Sequence, residues 1–179
     1  MIYMFLADGF EEIEALCPLD LMRRAAIDVR TVGVGKKTVT GAHGISVVAD
    51  LTEAELCDDD MDMVFLPGGM PGTLNLAASK TVSDTIKHAT KRGCYIAAIC
   101  AAPSILGDMG LLEGKQAVCY PGFEKRLTGA TVPDKKVVLD GKVLTAKGMG
   151  AALEMGLEIV RIYRGEDTAK DLAHAVIAD

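Results

Sequence analysis

The segment Ala97-Ala98-Ile99-Cys100-Ala101-Ala102-Pro103 joins an apolar run to a helical one at a single nucleophilic residue, with small side chains on both sides. A strand that stops at a cysteine and turns at once into a helix has the layout of a nucleophile elbow, here without the flanking glycines of the G-x-S-x-G form. Small neighbours are required because larger side chains would collide in so tight a turn, and such turns hold the nucleophile in a strained backbone conformation. A sulfur at that point faces a helix N-terminus, whose dipole and free N–H groups favour thiolate over thiol. Addition of a thiolate to a carbonyl then needs donors for the developing oxyanion. Backbone amides in a glycine-rich turn supply them without side-chain bulk. Gly68 and Gly69 of Pro67-Gly68-Gly69, together with Ala101, are the candidate oxyanion donors.

An acid or base is the other requirement. Glu14 lies three residues from both Glu11 and Cys17 on a helical segment, which lets its carboxyl face either the core or the site, while Glu11 and Glu12 can reach solvent or the helix N-terminus. A partly desolvated carboxyl beside sulfur has a raised pKa and can donate a hydrogen bond to it. The three histidines offer no Cys-His-acid triad: His88 and His174 fall in helical segments and His43 in a turn.

The elements that position these residues follow from hydrophobic periodicity. Ile2 to Ala7 reads as a strand feeding a helix from Glu11 to Ala26, with Pro18 expected to kink that helix or cost it one hydrogen bond. Strands are predicted at Val29 to Val34, Ile45 to Ala49, Asp62 to Leu66 and Cys94 to Ile99, and again at Gln116 to Cys119, Val137 to Leu139 and Val143 to Ala146. Helices are predicted at Thr81 to Arg92, stopped by Gly93, and at Ala101 to Met109, Ala151 to Arg164 and Asp167 to Ile177. Alternating strands and helices imply an α/β fold with a mostly parallel sheet covered on both faces. In such sheets ligands bind beyond the carboxyl ends of the strands, where Gly9 to Glu14, Pro67-Gly68-Gly69 and Cys100-Ala101-Ala102-Pro103 all fall.

The 179 residues are expected to form one domain, with 19 basic against 25 acidic residues and a net charge of −6. Without a basic cluster interleaved with aromatics, nucleic acid is not expected as the main partner. The absence of a membrane-length apolar run or a signal-peptide pattern points to the cytoplasm and to no membrane association. Five cysteines (Cys17, Cys57, Cys94, Cys100, Cys119) form an odd set with no C-x-x-C and no Cys/His grouping. Reduced thiols are expected, with no metal and no cofactor.

Taken together, Asp8-Gly-Phe-Glu-Glu-Ile-Glu-Ala, Pro18-Leu-Asp-Leu-Met-Arg-Arg-Ala, Leu66-Pro-Gly-Gly, Ala97-Ala-Ile-Cys-Ala-Ala-Pro and Lys147-Gly-Met-Gly resemble the ThiJ/PfpI superfamily, nearest to its parkinsonism-associated deglycase branch. The resemblance implies a flavodoxin-like three-layer sandwich and a homodimer. It makes Cys100 the elbow nucleophile, Glu14 its protonated partner and the Gly69 and Ala101 amides oxyanion donors, and it sets Arg24 near the dimer interface and the pocket mouth. This chain departs from the pattern at two pocket positions: Tyr120 stands where the branch commonly carries a histidine, and His43 where relatives often have arginine.

By the same resemblance, the leading expectation is a cofactor-independent glyoxalase or deglycase acting on small reactive carbonyls such as methylglyoxal. The alternative is a redox-sensing or chaperone-like regulator that works through oxidation of Cys100. A third is an amidase or peptidase, against which the missing histidine counts.

Overall fold

The structure is a computed structural model that describes residues 1–57 and 60–178. Its strands are β1 (Ile2–Leu6), β2 (Val29–Gly33), β3 (Thr38–Thr40), β4 (Ser46–Val48), β5 (Leu51–Thr52), β6 (Met63–Leu66), β7 (Tyr95–Ile99), β8 (Val137–Asp140) and β9 (Val143–Ala146). Seven of them form one sheet in the order β5-β2-β1-β6-β7-β9-β8, and β3 and β4 make a separate antiparallel hairpin. Every pairing in the large sheet is parallel except β8 with β9.

Strands buried on both faces explain the unbroken apolar runs of the sequence. Along β1, Ile2, Met4 and Leu6 pack on one face with helices α1 (Glu12–Arg24), α5 (Ala152–Arg164) and α6 (Glu166–Ala175). Tyr3 and Phe5 point the other way, towards α2 (Gly72–Ala78), α3 (Lys80–Arg92) and α4 (Pro103–Asp108). The result is the three-layer, flavodoxin-like sandwich expected from the sequence. Each large apolar side chain so buried contributes about 1.5–3 kcal/mol.

Local signals set the ends of α3: the Ser79 hydroxyl accepts from the Val82 amide at its start, and Gly93, at φ 70°, closes it. Pro18 sits inside α1 without ending it, at the cost of a donor for the Glu14 carbonyl. It also marks where α1 meets α5, since a Cβ on Gly156 would lie 3.0 Å from the Pro18 Cα and 2.6 Å from Leu21 Cδ1.

Some expectations are corrected. Gln116 to Cys119 is not a strand: β8 occupies the edge of β9, and the segment keeps only a bridge from Gln116 to Thr131. Its backbone donors go elsewhere, the Val118 amide to Thr145 Oγ1 and the Gln116 amide to Asp140 Oδ2. The helix after Cys100 begins at Pro103 and has six residues, because Ala101 and Ala102 are spent in the turn. Neither α2 nor the two-residue β5 is apparent from the sequence pattern.

Candidate active site

Strand order reverses between β1 and β6, and the crevice beyond their carboxyl ends is where an open parallel sheet places a ligand site. Three loops meet there, following β1, β6 and β7. They bring together Glu14, Gly68 with Gly69, and Cys100.

Cys100 lies one residue past β7 with φ 65°, a left-handed conformation that a residue with a side chain adopts only under constraint. The constraint is visible. Its N–H donates to the Ala146 carbonyl at the end of β9 (2.9 Å), and its carbonyl accepts from the Tyr120 amide (2.7 Å). The turn beyond is closed by the Ala102 amide on Ile99 O and by the buried Ser104 hydroxyl on Ala101 O (2.7 Å).

Glu14, 1 % exposed, hydrogen-bonds the Cys100 sulfur, and its Oε2 accepts from the Gly68 amide at 3.1 Å. The Met149 amide also donates to its carboxyl. Gly68 cannot be larger here, since a Cβ would come within 2.5 Å of both Cys100 Cβ and Glu14 Oε2. The Gly69 and Ala101 amides point at the sulfur. The candidate oxyanion donors are thus divided: Gly69 and Ala101 face the Cys100 sulfur, whereas the Gly68 N–H is already given to Glu14.

Burial dominates the electrostatics. It pushes the Glu14 carboxyl up to about 7, helped by the charge of Glu11 and opposed by the hydrogen bonds from Cys100, Gly68 and Met149. The Cys100 thiol is pushed up to about 12 by burial, then by the charge of Glu14 and its hydrogen bond, against the Gly69 and Ala101 amides. This corrects the thiolate expected from a helix dipole. A six-residue helix starting three residues away offers little dipole, and the partner is an acid rather than a cation. When Glu14 takes a proton its charge no longer opposes the thiolate, so the two groups hold their protons as a coupled pair.

An open cavity of about 440 Å³ adjoins the pair, lined by Tyr120, Pro121, Lys136, Lys147, Gly148, Met149, Gly150 and Ala151. Half-exposed Tyr120 lies here, at the position the sequence singled out. The other two expected pocket residues lie elsewhere. Arg24 is at the far end of α1, about 15 Å along the axis from Glu14, and pairs with Asp20 at 2.6 Å. His43 sits in the β3–β4 loop with its Nδ1 2.9 Å from Glu12 Oε2 and 3.4 Å from Glu11 Oε2.

Of the two destinations expected for Glu12, solvent is not the one taken: it is 4 % exposed, accepts its own amide at the start of α1, and accepts the His43 and Ile45 amides at 2.8 and 3.3 Å. Glu11, Glu12 and His43 hold ligand-type atoms within 4.8 Å of one another, a grouping sequence spacing did not reveal. The Glu12 oxygens are already engaged as a clasp on the hairpin. Sequence reasoning also passed over the Met149 amide and Gly148, whose signal was the Lys147-Gly-Met-Gly motif. A second hollow of about 410 Å³, at the opposite end of the sheet by Cys94, Tyr95, Lys142 and Tyr163, contains none of these residues. All five cysteines are free thiols.

Known proteins share this architecture. Residues 1–162 match the model of the DJ-1/PfpI family. The chain is 35 % identical over 175 residues to the DJ-1 homolog B of Arabidopsis thaliana, covering 96 % of this chain and 40 % of that longer protein. It is 30 % identical over 164 residues to a glutathione-independent glyoxalase of Caenorhabditis elegans, covering 90 % of this chain and 87 % of the relative. A DJ-1 superfamily protein from Salmonella typhimurium superposes with a TM-score of 0.94 at 34 % identity, over 99 % of this chain and 98 % of the other. No helix among the described residues is long and apolar enough to cross a membrane.

Proposed function

This chain belongs to the DJ-1/PfpI family, and from that premise we propose that it is a cysteine-dependent, cofactor-independent enzyme converting small reactive dicarbonyls such as methylglyoxal to hydroxy acids. The observation that carries the reading is a buried carboxyl hydrogen-bonded to a strained cysteine, with its pKa raised to about 7. A group titrating there both gives and takes a proton at neutral pH. The likeness to a relative called a glyoxalase supports the same reading.

In this mechanism the Glu14 carboxylate takes the Cys100 proton as the sulfur forms its bond to the aldehyde carbon. The C=O pair moves onto oxygen, which meets the Gly69 and Ala101 amides, and Glu14 returns the proton there to complete a hemithioacetal. Glu14 next removes the hydrogen from that carbon and delivers it to the neighbouring carbon, while the hemithioacetal hydroxyl proton passes to the former ketone oxygen; the ketone becomes an alcohol and the adduct a thioester. Water then attacks the thioester, the C–S bond breaks, the sulfur recovers its proton and the hydroxy acid leaves. Methylglyoxal and water become lactate, with no electron donor or acceptor.

Steady-state turnover of methylglyoxal by wild type and Cys100→Ser tests the proposal. Cys100→Ser is expected to be inactive, and its retention of activity would overturn the reading.

A second reading, oxidation of Cys100 in a sensor or chaperone-like regulator, draws support from the same donors. The Gly69 and Ala101 amides and protonated Glu14 would each bind an oxygen on sulfur. No histidine lines the cavity among the described residues, which leaves amide hydrolysis with less support. A homodimer is part of the proposal. Exposed Ile13 on α1 and Ile45 and Val48 of the β3–β4 hairpin, brought close to α1 by the Glu12 clasp, are the apolar side chains it would cover.

A further inference from the structure

Three glycines border the reacting pair, and they are glycine for different reasons. At Gly68 a Cβ would run into Cys100 and Glu14. At Gly69 the φ of 92°, and a Glu11 amide nitrogen 2.3 Å from where a Cβ would stand, exclude any side chain. Both are demanded by the fold. Gly148 is not. Its backbone is extended, at φ 160° and ψ −166°, which any residue adopts. The three heavy atoms nearest to an added Cβ all belong to side chains: Tyr120 Cδ2 at 3.3 Å, Glu14 Oε1 at 3.7 Å and Cys100 Sγ at 3.9 Å.

The volume that this missing Cβ leaves open is therefore bounded by the sulfur, the carboxyl and the Tyr120 ring. The Gly68 backbone lies against the Cys100 Cβ, and the Gly69 and Ala101 amides are directed at the sulfur. The open volume over Gly148 continues into the cavity that Gly148 and Tyr120 line. We infer that Gly148 is a specificity-determining residue: the space of its absent side chain is the port through which an electrophilic carbon reaches Cys100, with the Tyr120 ring as the opposite wall.

A port one methyl group wide suits an unbranched carbon presented end-on, such as the aldehyde end of an α-oxoaldehyde. It disfavours a ketone carbon substituted on both sides. The inference rests on the proposed function only in taking Cys100 as the reacting atom.

The test uses two probes that need no turnover, iodoacetamide and hydrogen peroxide, with modification of Cys100 followed by peptide mass analysis. The same thiolate attacks both, displacing iodide from one and hydroxide from the other, so the ratio of the two rates cancels any change in its population. In Gly148→Ala the methyl stands in the line of approach, and alkylation is expected to slow about tenfold or more. The smaller peroxide should react within about twofold of its wild-type rate, because the thiolate fraction is untouched. Adding Tyr120→Ala should restore most of the alkylation rate by removing the methyl's tightest neighbour. If Gly148→Ala does not fold by circular dichroism, Tyr120→Trp narrows the port from the opposite wall and should give the same selective slowing.

Unchanged alkylation in the narrowed variant, an equal fall for both probes, or no recovery with Tyr120→Ala would each overturn the inference. If wild type fails to turn over methylglyoxal while these rates behave as expected, the port stands and the proposed enzymatic function falls.

Discussion

Glu12 and Glu14 are two residues apart on the first turn of α1, both almost fully buried, and they titrate in opposite directions. Two residues along a helix turn a side chain by about 200°, so the neighbours meet different surroundings. Burial works against the charge of both. Glu12 overcomes it with the His43 ring, its own amide and the amides of His43 and Ile45, and its pKa is lowered. Glu14 receives the Cys100, Gly68 and Met149 hydrogen bonds but also feels the charge of Glu11, and burial prevails. The same residue type is thus an ionised clasp on one side of a helix and, in the proposed reaction, the proton carrier on the other.

The largest effect that would break this contrast is chemical. Glu14→Gln keeps a hydrogen bond to sulfur but cannot give and take a proton, and methylglyoxal turnover should fall about 10²- to 10⁴-fold in a steady-state assay. Near-wild-type turnover would end the distinction between clasp and carrier.

Next is stability against pH. A carboxyl raised from 4.5 to about 7 binds more protons folded than unfolded in that window, so its contribution to stability falls as pH rises from 4.5 to 7. Relative to wild type, Glu14→Gln should therefore gain stability by about 3 kcal/mol between those limits. Urea unfolding at pH 4.5, 6 and 8 would show it, and a pH-independent difference would contradict it.

Glu12 should give the opposite slope. Its lowered pKa stabilises the fold above the unfolded value of 4.5, and that contribution is lost as pH falls through the folded value. Glu12→Gln should cost about 1–3 kcal/mol at pH 7 and less in acid. The same denaturation series measures it.

The smallest effect is at the cavity wall. Tyr120→Phe removes a half-exposed hydroxyl, and turnover is expected to change by less than about threefold, well short of the loss of an acid or base. A dead Tyr120→Phe would move the proton carrier from Glu14 to the phenol.

Much of this contrast was legible in the sequence, and the unread part has physical causes. Cys94 to Ile99 reads as a buried strand because both of its faces are apolar, and β7 follows it but for the first residue; the small residues around Cys100 mark the elbow. Glu14 could be singled out as a candidate, but the balance between its burial and its donors depends on Gly68 and Met149, which are distant in sequence. Nothing in the sequence marks Glu12 as a clasp, because its partner, the 41–45 loop, arrives only in three dimensions. Helix α2 was hidden by the glycines and prolines that precede it, and 116–119 has strand composition but β8 takes the place beside β9.

The proposed chemistry requires Glu14 to hold its proton into the neutral range beside Cys100. A carbon-13 NMR titration of the glutamate carboxyls, with the Glu14 resonance assigned by its absence in Glu14→Gln, measures this directly. The expected midpoint is about 7; a midpoint at or below the ordinary 4.5 would contradict the account.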